Sequence, residues 1–474
     1  VELAGFPHHS IEVYLPKLVR AGYKVAVCDQ LEDPKLTKKI VKRGVTDLVT
    51  PGVVYNEQLL PQKENNFLAC VAFEKERGGV AFLDISTGAF RVAQGGFEYI
   101  ELLLSNMSPK EILVEKGYEK GFKERFNQKA YISTLGEWAF VYDSAYEKLR
   151  KHFALDSLKG FGVEGMNLAI TAAGAILYYL ENNAQTYSEY FPTRGLSHLC
   201  SISRIDNEEF VWLDKFTSRN LELIYPSTQD GVTLLDIMDK CSSPMGGRLL
   251  RQWMCMPSKN LDEIKRRHDV VEAFTGNHEV MDTVREKISR MGDMERIISR
   301  AAGGRITPRE MAQLRRGLAQ ILPLKATLMR IGNDSVTKLG EELADCNSIL
   351  RTLSEKLAEE PASQIGKGEV IARGVSEELD ELRDIAANSK AILAGIQERE
   401  QERTGITSLK VSYNNVFGYY LEVRNTHKDK VPSDWIRKQT LVSAERYITQ
   451  ELKEYEEKIL GAEEKIHVIE STIY

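Results

Sequence analysis

The sequence of 474 residues lacks the features of a membrane, secreted or zinc protein. No apolar run reaches the roughly 20 residues of a membrane-spanning helix, and no signal peptide opens the chain. The six cysteines are scattered, with no CxxC pair and no histidine cluster beside them. A disulfide framework or a zinc site is therefore not indicated, and a cytoplasmic location is expected.

The sequence also lacks the common catalytic motifs. The string nearest to a Walker A motif, residues 364–368, has neither the first glycine nor the hydroxyl after the lysine, and no HExxH or GxSxG occurs. Asp84 ends a predicted strand, where a nuclease could place a metal ligand, but one carboxylate cannot hold two metal ions. We interpret Asp84 as a turn-capping residue and a nuclease as a remote alternative. No catalytic, cofactor or metal site is predicted in this chain.

Positive charge is scarce overall but concentrated in one segment. The chain has a net charge of −6, which excludes coating by nucleic acid over its whole surface. Residues 403–449, in contrast, contain eight cations, four acids and six aromatic residues. The cations are Arg403, Lys410, Arg424, Lys428, Lys430, Arg437, Lys438 and Arg446, and the aromatic residues are Tyr413, Phe417, Tyr419, Tyr420, Trp435 and Tyr447. This composition favours binding to a phosphate backbone.

The chain length predicts three or four domains. Ser10 is a predicted cap for a helix with an apolar stripe of Ile11, Tyr14, Leu15 and Leu18. From about residue 66, three apolar strands separated by Gly78-Gly79 and by residues 86–88 predict a small α/β domain. Residues 163–367 are predicted to be almost wholly helical, with Asn260 as one of the caps.

Two narrow apolar seams flank the basic segment and predict a two-helix arm. Leu382, Ile385, Ser389, Ile392 and Ile396 form the first, and Leu452, Tyr455, Ile459, Ala462, Ile466, Ile469 and Ile473 form the second. Ser376 is the predicted cap of the first helix. The helices are expected to pack antiparallel over about 40 Å. At their end, residues 409–413 and 419–423 are predicted to pair as strands across Asn414–Gly418.

With these features in order, the sequence resembles the MutS family of DNA mismatch-repair proteins, in its long-armed class. The matching strings include AGFPHHSIEVYLPKLVRAGYKVAVCDQLEDP, LVTPGV, FLDISTG, SPMGGRLLRQWMCMPS, GDMERIISR, ERTGITSLKVSYNNVFGYYLEV and QTLVSAERYITQELKEYEEKI. They occur in the family's order and cover essentially the whole chain. One departure is that Val442 and Ser443 stand where the family often has a lysine followed by asparagine or glycine.

The resemblance implies a multidomain α plus α/β fold. Its parts are the end of a mismatch-recognition domain (1–50), a ribonuclease-H-like connector without nuclease activity (51–160), a helical lever or core domain (161–375), a clamp inserted in the lever (376–455) and a returning lever helix (456–474). The clamp is expected to be a small β structure at the tip of a coiled-coil arm. The family's mismatch wedge would lie before Val1 and its ATPase domain after Tyr474, so the resemblance identifies the chain as a fragment and a non-enzyme.

The resemblance also implies partners and site residues. Its clamp residues would grip the phosphate backbone of duplex DNA without reading sequence; our candidates are Lys410, Asn414, Asn415, Arg424, Lys438 and Ser443. For the intact protein it implies ATP and magnesium as cofactors, a homodimer, and recruitment of MutL through the connector. Tyr419 and Tyr420 face opposite sides of a strand, so one of them is expected to pack inward. The alternative interpretation is a helical scaffold whose arm binds protein.

Overall fold

The computed structural model describes residues 10–30, 41–54, 59–126, 129–188, 196–228, 230–414 and 418–474. The chain divides into two compact units, residues 1–306 with 313–346 and residues 307–312 with 347–474. Many helices and several sheets are present, which confirms a mixed α/β fold. Among the described residues, we find no helix with the length and apolar character needed to cross a membrane.

The first unit begins with a small helix and strand pair. Its elements are α1 (Ile11–Arg20), β1 (Val25–Gln30) and β2 (Arg43–Val49), and the two strands pair antiparallel. Ser10 occupies the N-cap position of α1, as predicted, but its side chain makes no capping hydrogen bond. The predicted apolar stripe is also displaced, because Leu15 and Val19 are buried whereas Tyr14 is 42% exposed. The buried pair packs against Val49 and Leu60.

A larger sheet follows in the same unit. Its order is β7-β6-β3-β4-β5-β8, with β3, β4 and β5 antiparallel and with β6, β7 and β8 each parallel to a neighbour. Helices pack on both faces. The elements are β3 (Leu68–Glu74), β4 (Arg77–Asp84), β5 (Ala89–Gly96), α2 (Phe97–Met107), β6 (Glu111–Glu115), α3 (Glu119–Phe126), β7 (Tyr131–Leu135), α4 (Tyr142–Phe153), α5 (Asn167–Ser188) and β8 (Ser203–Arg204).

Two sequence expectations fail at this sheet for one reason. The turn predicted at Gly78-Gly79 lies instead at Lys75-Glu76, with Lys75 in the left-handed region, and both glycines are inside β4. A Cβ on Gly79 would lie 2.1 Å from the carbonyl carbon of Leu168, so glycine permits close approach of α5. Because α5 belongs to the core of this sheet, the predicted boundary at residues 160/161 separates elements that pack together.

The rest of the first unit is mainly helical. Asn260 accepts hydrogen bonds from the backbone N–H groups of Asp262 and Glu263, as predicted for a helix cap. Residues 196–233, however, contain only short elements within the described part, against the expectation that residues 163–367 are almost wholly helical. The helices are α6 (Lys215–Asn220), α7 (Leu234–Met238), α8 (Pro244–Cys255), α9 (Leu261–Thr275), α10 (His278–Met291), α11 (Met294–Ala302), α12 (Pro308–Met329) and α13 (Asp334–Glu341); the first residues of α12 belong to the second unit.

The second unit contains two long helices joined by a small sheet. Ser376 caps α15 through a hydrogen bond from the backbone N–H of Leu379, which confirms the predicted start of the arm. We call α15 and α16 the arm and strands β9–β12 the arm-tip sheet. The elements are α14 (Asn347–Lys356), α15 (Glu377–Thr404), β9 (Lys410–Asn414), β10 (Gly418–Arg424), a 3₁₀ helix (Asn425–Lys430), β11 (Ile436–Thr440), β12 (Ala444–Ile448) and α16 (Gln450–Ile473).

The two arm helices pack antiparallel, as predicted. Arg383 lies 2.6 Å from Glu470, and Arg399 lies 2.5 Å from Glu451, so residues near the start of α15 meet residues near the end of α16. With 28 residues, α15 spans about 42 Å at 1.5 Å per residue.

The seam of α15 differs from its prediction. Ile385 is 48% exposed, whereas Leu379, Arg383 and Ile396 are buried. The contact line therefore includes a charge, and the Arg383 guanidinium is neutralised there by the fully buried Glu470. On α16 the prediction agrees better, since Leu452 and Ala462 are buried. The side chains of Ser389 and Ile459 lie outside the described residues.

Candidate nucleic-acid interface

The arm-tip sheet has one buried face and one outward face. Its order is β11-β12-β10-β9, all antiparallel. Leu421 and Val423 on β10 are almost fully buried against Ile396, Trp435 and other apolar residues of the arm end. Strands β9 and β10 confirm the predicted strand pair, and β11 and β12 extend it. Because side chains alternate along a strand, the residues between the buried ones face outward.

The outward face carries all three charged residues of β9 and β10. The register places Lys410 opposite Glu422, and Glu422 in turn opposite Arg446 on β12. Arg424, two residues beyond Glu422, faces the same side and lies opposite Ala444. This face therefore holds both cations and an acid.

Half of the eight cations in the segment are neutralised inside the second unit. Arg403 pairs with Asp434 at 2.8 Å, and Arg446 pairs with Glu422 at 3.2 Å. Lys428 and Arg437 share one carboxylate, that of Glu445, at 2.8 and 3.5 Å respectively. The Lys428 ammonium holds the pKa of Glu445 below its usual range, and the Arg403 guanidinium does the same for the pKa of Asp434. Both acids therefore stay ionised at neutral pH and remain paired with these cations.

The other four cations are exposed. Lys410, Arg424, Lys430 and Lys438 make no ion pair or side-chain hydrogen bond to any residue that the structure describes. Three of them are sequence candidates. Lys438 occupies an irregularity of β11 between Arg437 and Gln439, where the extra residue is free of the ladder. Lys430 was not among the candidates, although its unpaired charge resembles theirs.

The structure brings some of the candidates together and separates others. Arg424 lies opposite Ala444, directly beside Ser443, whose backbone carbonyl accepts a hydrogen bond from the Asn425 N–H at 3.2 Å. The Ser443 side chain is exposed at the turn between β11 and β12. Lys410 lies opposite Glu422, and therefore on the same face as Arg424 and diagonal to it. Lys410, Arg424 and Ser443 thus form one end of the outward surface.

Asn414 lies at the opposite end of the hairpin. It pairs with Gly418, four residues along β9 from Lys410 and thus about 13 Å away at 3.3 Å per residue. The backbone N–H of Tyr419 in this end donates to Glu456 of α16 at 3.1 Å. A phosphate there would meet a carboxylate, which disfavours Asn414 as a phosphate contact. Asn415 lies outside the described residues.

The direction of β9 explains this separation. Gln401 of α15 donates to the carbonyl of Leu409 at 2.8 Å, and Gln397 accepts from the N–H of Val411 at 2.9 Å. Since the strand residue number rises while the helix residue number falls, β9 runs back along α15. The Asn414 end of β9 therefore lies toward the start of the arm, and the end of β10 with Arg424 lies away from it.

Phe417 lies outside the described residues, and most of the other aromatic residues of the segment are packed. Tyr420 is 6% exposed, and the Arg446 guanidinium lies 4.3 Å from its ring centre. Tyr419 is half-buried, with its ring centre 4.9 Å from that of Tyr413. Tyr419, on the same face as Leu421 and Val423, is therefore the member of the pair that packs inward against the apolar cluster, whereas Tyr420 is covered by Arg446 on the outward face. Tyr413 is 43% exposed, and Val442, which no sequence signal singled out as a contact, is fully exposed at the β11–β12 turn.

Asp84 is fully buried and serves the turn after β4. Its carboxylate accepts hydrogen bonds from the Ser86 N–H and hydroxyl and from Asn65 and Asn66, at 2.7 to 3.1 Å. These four bonds use the acceptor sites of the carboxylate, which confirms turn capping. Within the described residues, no group of three or more His, Cys, Asp or Glu side chains is arranged to hold a metal ion.

Comparison with known proteins matches the chain in three consecutive parts. Family models for MutS domain I, MutS domain II and MutS domain III match residues 1–58, 66–192 and 216–468. Proteins named DNA mismatch repair protein MutS from Parabacteroides distasonis and Phocaeicola vulgatus are 52% and 54% identical over the whole chain, and that from Flavobacterium johnsoniae is 52% identical over 472 residues. The chain spans 54% of the length of each of these relatives. With three domain models in order and identity above 50% throughout, this chain belongs to the MutS family of DNA mismatch-repair proteins.

Proposed function

We propose that this chain acts in DNA mismatch repair and that its arm-tip sheet grips the phosphate backbone of duplex DNA. The observation that carries the proposal is the division of charge in the segment 403–449. Four cations are neutralised by neighbouring acids, whereas Lys410, Arg424, Lys430 and Lys438 remain exposed without an ion pair in the described residues. Exposed cations without internal partners are available to replace counterions on DNA.

The grip is expected to be insensitive to base sequence and to mismatches. Lysine and arginine contacts to phosphates fix the position of a protein on DNA, but phosphates are the same at every base pair. If Lys410, Arg424 and Lys438 each neutralise one phosphate, the slope of log affinity against log salt concentration is about −2.7 for these three contacts. Weak binding with a salt dependence of this size is the expected behaviour.

The test is duplex binding by a variant with three reversed charges. In K410E/R424E/K438E, fluorescence anisotropy with a labelled duplex is expected to show at least tenfold weaker binding and a flatter salt dependence. The matched control R219E/K259E/K265E also reverses two lysines and one arginine. All three control residues are exposed and make no ion pair with other described residues. Equal losses in both variants would mean that net charge, and not the arm-tip sheet, determines binding.

For the complete protein we propose the roles that the family resemblance implies. The order of antiparallel β3, β4 and β5 beside parallel β6 and β7 supports a ribonuclease-H-like connector. The two antiparallel helices with a small sheet at their end support a lever carrying a clamp. We propose that the lever relays the ATP state to DNA, that ATP and magnesium bind elsewhere in a homodimer, and that the connector recruits MutL.

A protein-binding arm is the second candidate. Val442 is fully exposed and Ile436 is 60% exposed on β11 and its turn, and apolar side chains of this kind favour protein contacts. Binding that depends on Val442 and Ile436 and changes little with salt would support this candidate. Binding to DNA that falls steeply with salt would support the first.

A further inference from the structure

A small cavity lies in the first unit where β5 and the end of α2 approach α8. Its volume is about 40 Å³. A single buried water needs roughly 10–15 Å³ by this measure, so the cavity admits a group of a few heavy atoms and excludes a nucleoside. Tyr225, which is 49% exposed, forms part of the lining and marks the side open to solvent.

The lining of the cavity is rich in cations. It includes Arg91, Lys110, Arg248 and Arg251, with Glu64 as the one carboxylate. Glu64 lies 3.3 Å from Arg251 and 3.7 Å from Lys110, so it neutralises part of this charge. The two terminal nitrogens of Arg248 are held by acids that do not line the cavity, with two bonds of 2.7 Å to Asp293 and one of 2.6 Å to Glu295, and its Nε takes no part in these bonds.

Arg91 is the cation that remains without an acid. Its guanidinium donates to the amide oxygen of Gln252 at 2.7 Å and makes no ion pair with any described residue. Burial lowers the pKa of Arg91, and the charge of Glu295 acts to raise it. A partly buried guanidinium with a neutral partner is unfavourable unless an anion joins it, because arginine stays charged at all accessible pH values.

Two further donors in the lining have no acceptor. The side-chain Nδ2 of Asn106 and the Nε of Arg248 are buried without a hydrogen-bond partner. More than nine in ten buried polar groups in proteins are hydrogen-bonded, so two such donors around one small cavity need an explanation. An anion in the cavity would satisfy both donors and would also neutralise Arg91.

We propose that this cavity binds a tetrahedral oxyanion, namely inorganic phosphate or the phosphate group of a small phosphoester. Arg91 supplies the compensating charge, and Asn106 Nδ2 and Arg248 Nε donate hydrogen bonds to the anion oxygens. The carboxyl end of α2 opposes an anion, but its partial charge is weaker than a full guanidinium charge. The site is independent of the arm-tip sheet, because it uses other residues in another unit.

The experiment is calorimetric titration of the whole chain with sodium phosphate at constant ionic strength. Wild-type protein is expected to show saturable binding of one phosphate per chain. Arg91→Gln and Asn106→Leu are each expected to weaken it at least tenfold. Arg77→Gln changes an exposed arginine of the neighbouring strand β4 and is expected to bind like wild type. K410E/R424E/K438E is also expected to bind like wild type, which separates this site from the arm-tip sheet.

A parallel titration with a nucleoside monophosphate distinguishes the two sources of the anion. Binding at least tenfold tighter than that of inorganic phosphate supports a phosphoester, with its organic part at the open side near Tyr225. Weaker binding supports the free ion. Absence of saturable heat with both ligands in wild-type protein overturns the proposal, and so does equal affinity in wild type and Arg91→Gln. If Arg91→Gln loses its circular dichroism signal, Asn106→Leu decides the result.

Discussion

The six-stranded sheet β3–β8 and the four-stranded arm-tip sheet use charged residues in opposite ways. The larger sheet is covered by helices on both faces, and its acids Asp84 and Glu111 are fully buried with every oxygen occupied. The arm-tip sheet is covered on one face, and its outward face keeps Lys410 and Arg424 exposed and without ion pairs among the described residues. A charge that is fully satisfied inside the fold stabilises it, whereas an exposed charge without a partner is available to a ligand.

Removal of the Glu111 carboxylate gives the largest expected effect. It accepts hydrogen bonds from Thr50, Gly52, Ser133 and Tyr179 at 2.5 to 3.1 Å. Glu111→Ala is expected to lower the free energy of unfolding by about 3–5 kcal/mol, because several buried donors lose their acceptor. This loss is measured by urea denaturation, with unfolding monitored by circular dichroism. The control Glu124→Ala, at an exposed side chain on α3, should change stability by less than about 0.5 kcal/mol; equal effects would remove the distinction between buried and exposed acids.

Gly79→Ala tests the close packing of the larger sheet. The added Cβ would overlap the backbone of Leu168 and Ala169, at 2.1 and 2.2 Å, so a loss of about 1–3 kcal/mol is expected on thermal or urea unfolding. Gly121→Ala, in α3 with nothing within 4 Å of the new Cβ, is the matched control. It should be neutral or stabilise by up to about 1 kcal/mol, because alanine favours the helix. A tolerated Gly79→Ala would mean that α5 shifts readily.

At the arm tip, Arg424→Gln is expected to change DNA binding and not stability. The salt slope of duplex binding should become shallower by about 0.9, and the unfolding free energy should change by less than about 0.5 kcal/mol. Arg446→Gln is the contrasting variant, since Arg446 contacts Glu422, Gln439 and the Tyr420 ring. Arg446→Gln is expected to change the free energy of unfolding more than Arg424→Gln does, and to change the salt slope of duplex binding less. Identical salt slopes for both variants would contradict the division into paired and free cations.

The smallest expected effect concerns the pH dependence of Glu445. Its pKa in the folded protein is lowered, first by the hydrogen bond from Lys428 and then by that from Tyr447, relative to an ordinary value of 4.5. A lowered folded pKa adds stability that is present above pH 4.5 and is lost as the pH falls through the folded pKa. Wild type should therefore have a higher Tm than Glu445→Gln at pH 7, and the difference should shrink below pH 4.5. A constant difference from pH 7 to pH 3 would exclude this linkage.

Local signals in the sequence were sufficient to predict the two helices of the arm and the strand pair at its tip. A capping serine at residue 376, heptad spacing and a turn-rich link at 414–418 each act within a few residues, so the helices and the strand pair could be predicted. The seam of α15 could not be predicted in the same way. Arg383 is buried there because Glu470, 87 residues away, neutralises it, and no local pattern reveals that partner.

The residues of the candidate site also differ in whether the sequence could predict their role or only the tertiary structure could. Charge and position in the family strings together selected Lys410, Arg424 and Lys438 as candidates. The charge count alone does not separate them from Arg403 and Arg446, whose acids are supplied by other elements. The family strings also grouped Asn414 with them, although that residue lies at the other end of the hairpin, where the Tyr419 N–H donates to Glu456.

By itself, the sequence determined the family, the mixed α/β class, the arm and the basic character of its tip, because composition and periodicity act locally and the family strings are specific. Only the tertiary structure decided which charges are free. It also revealed why Gly79 is required, which sheet α5 joins, and that Arg91 and Asn106 face one small cavity. These properties depend on residues far apart in the chain meeting at distances of a few ångströms, where Coulomb energy, hydrogen bonding and steric overlap change steeply.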